Sequence, residues 1–377
     1  MMEEAHPVLA SALNINVQSI KVTAAVKNED SLVFMVKSQE MFTSKEHHVD
    51  RNFEDFAWLQ RSLLTQDEVP GLQGIIFPPL PAKPYVFQSN TQAKMIKQLG
   101  LLGLSTNWQT YSKALEKYLQ QVASHTMLSK NPALQTFFTL KEQPGGNVRR
   151  KGILNRLSQA LEEMTKENHK DIDEYFQSER STNLCLTRLT KAATEKFLDL
   201  VMTQQKISLA CGHLSTALHL GITQDEDPTT TEFSKLCLKL SEILDIVKKN
   251  YENVAENNLN SLGSMLDLDS RYQEAEKEML FRRTCKLVEL ENIGKNLEKA
   301  KSVKKATLEE TKKSVEKEFK HISDVAKLEI ERFHRARVEA FQQDLTAWCE
   351  SQIQTARNTL NFLTQHLGAF REHDNMK

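Results

Sequence analysis

Proline is missing from the last 149 residues of the sequence, and eight of its nine prolines lie before residue 145. A proline inside a helix costs about 3 kcal/mol, because it lacks an N–H and clashes with the preceding turn. Its absence over such a length admits long uninterrupted helices. Long hydrophobic runs are missing as well. No window approaches about 18 consecutive apolar residues, so a membrane-spanning helix is excluded. Net charge is close to zero, with 49 basic against 50 acidic residues. Nucleic acid is therefore not an expected partner, and any basic function has to come from local patches. The start, Met1-Met2-Glu3-Glu4, is acidic and lacks the apolar core of a secretion signal. Position 2 is not Gly and the last four residues contain no Cys, so lipidation signals are not expected either. The five cysteines (Cys185, Cys211, Cys237, Cys285 and Cys349) stand 26 to 64 residues apart, without CxxC or Cys/His metal-ligand spacing. They read as reduced thiols beside helix seams. No cofactor or metal is expected.

What is present divides near residue 145, and 377 residues leave room for two or three domains. Residues 13–53 read as three strands. Ile15, Val17, Ile20 and Val22 form a β-branched run, Lys27-Asn28-Glu29-Asp30 supplies a turn, and Leu32-Val33-Phe34-Met35-Val36 follows. A third strand is expected around His47 to Phe53. The period then changes, with Phe56, Leu59, Leu63 and Leu64 on one helical face. Pro78-Pro79-Leu80-Pro81-Ala82-Lys83-Pro84 excludes a helix or central strand and reads as an extended surface turn. Two further helices are expected at about 107–125 and 131–139.

The order of these pieces resembles a phox-homology (PX) domain. A strand leads into Arg51-Asn52-Phe53-Glu54-Asp55-Phe56-Ala57-Trp58-Leu59, the Pro78–Lys83 loop follows, and Leu115-Glu116-Lys117-Tyr118-Leu119 precedes Ser124-His125. The resemblance implies capture of phosphatidylinositol 3-phosphate. In the family a basic residue after the third strand holds the 3-phosphate and the neighbouring aromatic stacks on the inositol ring. A Lys in the proline loop and a later Arg hold other oxygens. In this sequence Phe53 and Lys83 match, and Arg51 is one residue out of register. Asn52 stands where the phosphate-binding base is expected, and Tyr111 aligns approximately with the later Arg. Losing two charged donors removes about 3–6 kcal/mol of phosphate binding. The domain then reads as kept for its fold or for binding protein.

Gly145-Gly146 opens the link between the halves. Arg149-Arg150-Lys151 precedes Ile153, Leu154, Leu157, Leu161 and Met164 at helical spacing, with Arg156 between them. A basic cluster leading an apolar stripe fits a helix lying in a membrane interface; a linker helix docked on the next domain fits equally well. Three long helices are expected after it. The first runs from about 169 to 220. The second starts at the capping-box pattern Thr229-x-x-Glu232 and continues to about Val303. The third starts at a second such pattern, Thr307-x-x-Glu310. Its stripe is Leu308, Val315, Phe319, Ile322, Ala326, Phe333, Phe341, Leu345 and Trp348. Gly263 and Gly294 are the expected bends. Single-striped helices of this length need each other and a partner chain to bury the stripe. The turn between the second and third carries Lys295, Lys299, Lys301, Lys304 and Lys305, and Arg282, Arg283 and Lys286 form another basic cluster. Each cation near an anionic surface contributes about 1 kcal/mol. The alternative is solvated helix surface.

Three antiparallel helices resemble a BAR domain, the crescent dimer that binds curved membrane, although helical period alone equally allows a straight rod. The expected fold is an α+β PX-like domain at 1–143, a linker with an amphipathic helix at 144–167, and an all-α BAR-like three-helix antiparallel coiled-coil domain at 168–377. This layout resembles the PX-BAR sorting nexins, within them the branch of sorting nexins five, six and thirty-two. Phe281-Arg282-Arg283-Thr284 and the region from Arg335 to Phe341 carry that likeness. The branch also lacks the phosphate-binding Arg. Its long helical insertion, used to recognise receptor tails, would need more than the 30 residues between Pro84 and Leu115. The resemblance implies a non-enzymatic protein of the cytoplasm and the cytoplasmic face of early endosomes. It would pair with another PX-BAR sorting nexin or with itself, bind anionic or phosphoinositide-containing membrane, stabilise tubules and meet receptor cytoplasmic tails. The alternative is a coiled-coil adaptor whose PX-like module binds peptide and bends no membrane. A Gly-rich phosphate loop and a nucleophile motif are both missing, and His47-His48 reads as a strand edge.

Overall fold

A computed structural model describes residues 15–28, 31–65, 69–82, 108–142, 169–220 and 228–374. They fall into two compact units. The first takes the N-terminal module together with helical residues up to 188 and 270–335, and the second takes 189–269 and 336–374.

In the first unit, β1 (Lys21–Asn28), β2 (Ser31–Gln39) and β3 (Glu46–Asn52) form an antiparallel meander in that order. Asn16 caps a short 3-10 turn, Val17–Ser19, so the first strand starts later than its β-branched run implies. Val22 lies opposite Val36, and Val36 opposite Val49, which stacks one inward row. The register slips between Val22 and Ala24, and the Val22 N–H donates to Glu116 Oε2 at 3.1 Å. Phe34, Val36, Val49 and Arg51 alternate inward as a period of two requires.

Three helices cover this face: α1 (Phe53–Leu64), α2 (Trp108–Ser124) and α3 (Pro132–Thr139). Phe56, Leu59 and Leu63 of α1, Tyr111, Leu115, Tyr118, Leu119 and Val122 of α2, and Phe137 and Phe138 of α3 close the core. Leu64, expected on the buried face of α1, is exposed because it stands a further 100° around the helix from Leu63.

The remaining helices are α4 (Glu174–Leu220), α5 (Pro228–Asn258), α6 (Ser264–Lys299) and α7 (Ser302–Asp374). A π turn, Leu259–Gly263, joins α5 to α6, so the expected bend at Gly263 falls on an irregularity. Gly294 interrupts nothing; it lies inside α6. The Thr307 capping box does not start α7 either. The helix begins at Ser302, directly after the reversal at Ala300–Lys301, and the Thr307 carbonyl already accepts from Thr311 inside it. Cys185 and Cys349 are exposed free thiols and the other three are half-buried. Among the described residues no helix is long and apolar enough to cross a membrane.

The second unit has a polar hub at its π turn. Buried Asn258 accepts from Trp348 Nε1 at 2.8 Å and Gln352 Nε2 at 2.7 Å, and donates to Gln204 Oε1 at 3.0 Å. One side chain thereby joins α4, α5 and α7. Truncating it strands its partners, so Asn258→Ala should lower stability by about 1–3 kcal/mol, read as a shift of the denaturant midpoint.

Candidate functional site

The PX-like pocket positions have structural occupations. Asn52 caps α1: its Oδ1 accepts from the Asp55 N–H at 3.1 Å, and the Asp55 carboxylate accepts from the Asn52 N–H at 2.8 Å. Phe53, the expected ring platform, opens that helix and packs partly buried against the core. Tyr111 is buried against Phe34, and its hydroxyl donates to the Ala82 carbonyl at 2.7 Å. Burial pushes the pKa of this hydroxyl up.

Arg51 requires a correction. Its side chain points into the core, where Nε and Nη2 donate to the Phe137 carbonyl at 3.1 and 2.8 Å. Nη1 donates to the Asp50 carbonyl at 2.8 Å, and Nη2 also reaches the Leu140 carbonyl. A guanidinium with 0% exposure, closing the C-terminal carbonyls of α3, has no donor to offer a lipid phosphate. Lys83 lies outside the described residues, as do Arg149, Arg150, Lys151 and Arg156 of the expected interfacial helix.

The second basic cluster is also internal, a further correction. Arg283 is 2% exposed and donates to Asp171 Oδ2 at 2.5 Å and Ser323 Oγ at 2.9 Å. Its guanidinium stacks 3.5 Å from the Phe176 ring centroid and 4.8 Å from that of Phe319. Burial lowers its pKa and the Asp171 contact opposes the shift. Arg282 donates to the backbone carbonyls of Ile75 and Gln73 at 2.7 and 3.3 Å and covers the Phe77 ring. Burial pushes its pKa down to about 10. Lys286 bridges Glu289 and Glu318 at 3.0 and 2.9 Å. None of the three presents its charge to a bilayer.

Lysines at the α6–α7 turn behave differently. Lys295, Lys299, Lys301 and Lys305 are all exposed around the reversal, while the Lys304 side chain lies outside those described. Of the two expected basic clusters around α6, this is the one whose described lysines face solvent.

One feature was not expected from sequence. The stretch Gly71–Phe77 docks the sheet module on α6 and α7. Gly71, at φ +79°, and Gly74 stand against His321, Ile322 and Val325 of α7. His125 Nδ1 accepts from the Met127 and Leu128 N–H groups at 3.2 and 3.3 Å, which leaves Nε2–H facing Glu329 at 3.3 Å. One glycine before and one inside the apolar run Leu72, Ile75, Ile76, Phe77 were the available signal.

Comparison with known proteins fits this layout. Residues 39–141 match the PX domain family, and residues 150–365 match the family described as Vps5 C terminal like, more than half of the chain. The chain belongs to the PX-BAR sorting nexins. Human sorting nexin-6 is 25% identical, with 93% of this chain and 92% of that protein covered. Human sorting nexin-32 is 27% identical, with 93% of each covered. Human sorting nexin-1 is 24% identical, covering 87% of this chain and 66% of its own length. The solved structure of the SNX-BAR Mvp1 tetramer superposes with a TM-score of 0.50 at 15% identity, covering 93% of this chain and 100% of that one. It supports the fold: a PX module of three strands and helices, then a long BAR-like helical region.

For this sorting nexin the interior Arg283–Asp171 pair makes a quantitative statement. Removing one partner of a buried pair costs about 3–5 kcal/mol, whereas replacing both by apolar groups costs far less. Arg283→Met should therefore destabilise strongly in thermal or denaturant unfolding, and Arg283→Met with Asp171→Leu should recover part of the loss.

Proposed function

We propose that this PX-BAR sorting nexin, a member of a family of non-enzymatic proteins of membrane trafficking, dimerises through its second unit. It then meets curved, anionic endosomal membrane with the α6–α7 lysines and supports tubule-based cargo transport. One observation carries the dimer. The α7 stripe is buried at Val315, Phe319, Ile322, Ala326 and Ile330, then opens: Val338 is 67% exposed, Ile353 51% and Leu360 65%. Leu209, Leu214 and Leu220 of α4 and Phe233, Leu236 and Leu240 of α5, in the same unit, are exposed as well. Apolar faces of this extent need a covering partner. A second copy or another PX-BAR sorting nexin supplies the matching helices, and the similar SNX-BAR Mvp1 was solved as a tetramer.

The residues divide the work accordingly. Residues 1–143 act as a recognition module, 144–167 as linker and interfacial helix, and 168–377 as the dimerisation and membrane part. Asn52 and Tyr111 are engaged in capping and packing, and Arg51 in the core. Phosphoinositide affinity therefore comes chiefly from the partner. The same observation favours the second reading, in which the PX module binds a protein peptide such as a receptor tail.

Charge reversal at Lys301, Lys304 and Lys305 should weaken sedimentation with vesicles containing anionic lipid while the dimer mass stays unchanged. Equal sedimentation of variant and wild type would refute membrane contact at this turn. Phe233→Asp with Leu360→Asp should shift the mass by light scattering from dimer to monomer, alone and mixed with candidate sorting nexins. Small-angle scattering separates the readings: a curved dimer supports membrane shaping and a straight rod supports the adaptor.

A further inference from the structure

Three helices of the first unit bring metal-ligating groups to one point. Glu179 comes from α4, Glu276 from α6 and His334 from α7, and one ligand atom of each lies within 4.8 Å of the others. His334 Nε2 stands 3.3 Å from Glu179 Oε1 and 3.4 Å from Glu276 Oε1. Two ligands each about 2.0–2.1 Å from a tetrahedral zinc ion are separated by about 3.3–3.4 Å, so these spacings are those of a shared ion.

Burial supplies a second observation. Glu276 is 0% exposed, and its Oε1 accepts no hydrogen bond although it is aimed at the cluster. The Glu179 Oε1 is likewise buried, and the side chains that face it are those of His334 and Glu276. The other Glu276 oxygen accepts from Asn183 Nδ2 at 2.9 Å, and Asn183 also donates to the Gln273 carbonyl. This is the outer-shell support that fixes a ligating carboxylate. Two buried carboxylates that share a single imidazole as neighbour carry more negative charge than it can balance, a deficit that a divalent ion fills. His334 is partly exposed, which leaves an entry path and a fourth position for water.

We propose that Glu179, Glu276 and His334 bind one divalent d-block cation, zinc by its taste for imidazole and carboxylate, which pins α4, α6 and α7 together. The test uses the full chain, stripped with chelator and titrated with zinc and with cobalt(II). One zinc per chain, a raised unfolding temperature, and visible cobalt bands without thiolate charge-transfer absorption are expected. His334→Gln and Glu179→Gln should each weaken binding at least tenfold while unfolding cooperatively without metal. The proposal fails if wild type binds no zinc, if both variants bind it as tightly as wild type, or if cobalt shows the thiolate band of a cysteine site.

Discussion

Gly74 sets how closely the Gly71–Phe77 stretch and α7 approach, and the first unit depends on that approach. A Cβ there would stand 2.5 Å from the Ile322 carbonyl and 3.1 Å from the Ala326 nitrogen. Backbone meets backbone, a contact that only glycine permits. The chain after it is extended and alternates between two cores. Ile75 and Phe77 enter the core of the sheet module, and Ile76 enters the core formed by Phe176, Met279, Leu280 and Ile330. A strand between two helix layers would hydrogen-bond to neighbouring strands, whereas the carbonyls of Gln73 and Ile75 accept from Arg282. The arginine thus takes the place of a neighbouring strand, and its burial is the consequence.

Much of this fold was legible. The meander, α1 to α3 and the long helices followed from periodicity and from where proline stops. Gly263 marked the π turn. The start of α7 was misread because Thr307-x-x-Glu310 satisfies the capping pattern, yet Lys305 and Ala306 are also good helix formers and the helix runs back to the reversal. The buried arginines could not be found from sequence. Arg282, Arg283 and Lys286 look like one basic patch, and only the positions of Ile75, Asp171 and Glu318 distinguish them from the lysines of the turn. Glu179, Glu276 and His334 lie on three separate helices, so no local spacing announces them.

The side chains at the expected lipid-pocket positions are engaged by the fold itself. An N-cap must accept from the first-turn N–H groups, which Asn does well and Arg cannot do. Asn52 fills that role at the start of α1, and its side chain is thereby committed to the helix. Tyr111 contributes a buried hydroxyl that holds the proline loop through the Ala82 carbonyl. Both side chains stabilise the fold through these contacts.

Guanidinium and ammonium groups part company along the same lines. Arg51, Arg282 and Arg283 each satisfy several donors on carbonyls or carboxylates and lie over aromatic rings, which a planar, weakly hydrated cation tolerates. Lys295, Lys299, Lys301 and Lys305 stay in water, as a compact, strongly hydrated ammonium favours. A cation enclosed by protein acts on its surroundings more weakly than one standing in water, so cations exposed as these lysines are would draw the surface to an anionic bilayer more strongly than the enclosed arginines. Charge counted along the sequence overstates that attraction wherever arginines cluster beside aromatic residues, as they do here between Phe281 and Thr284.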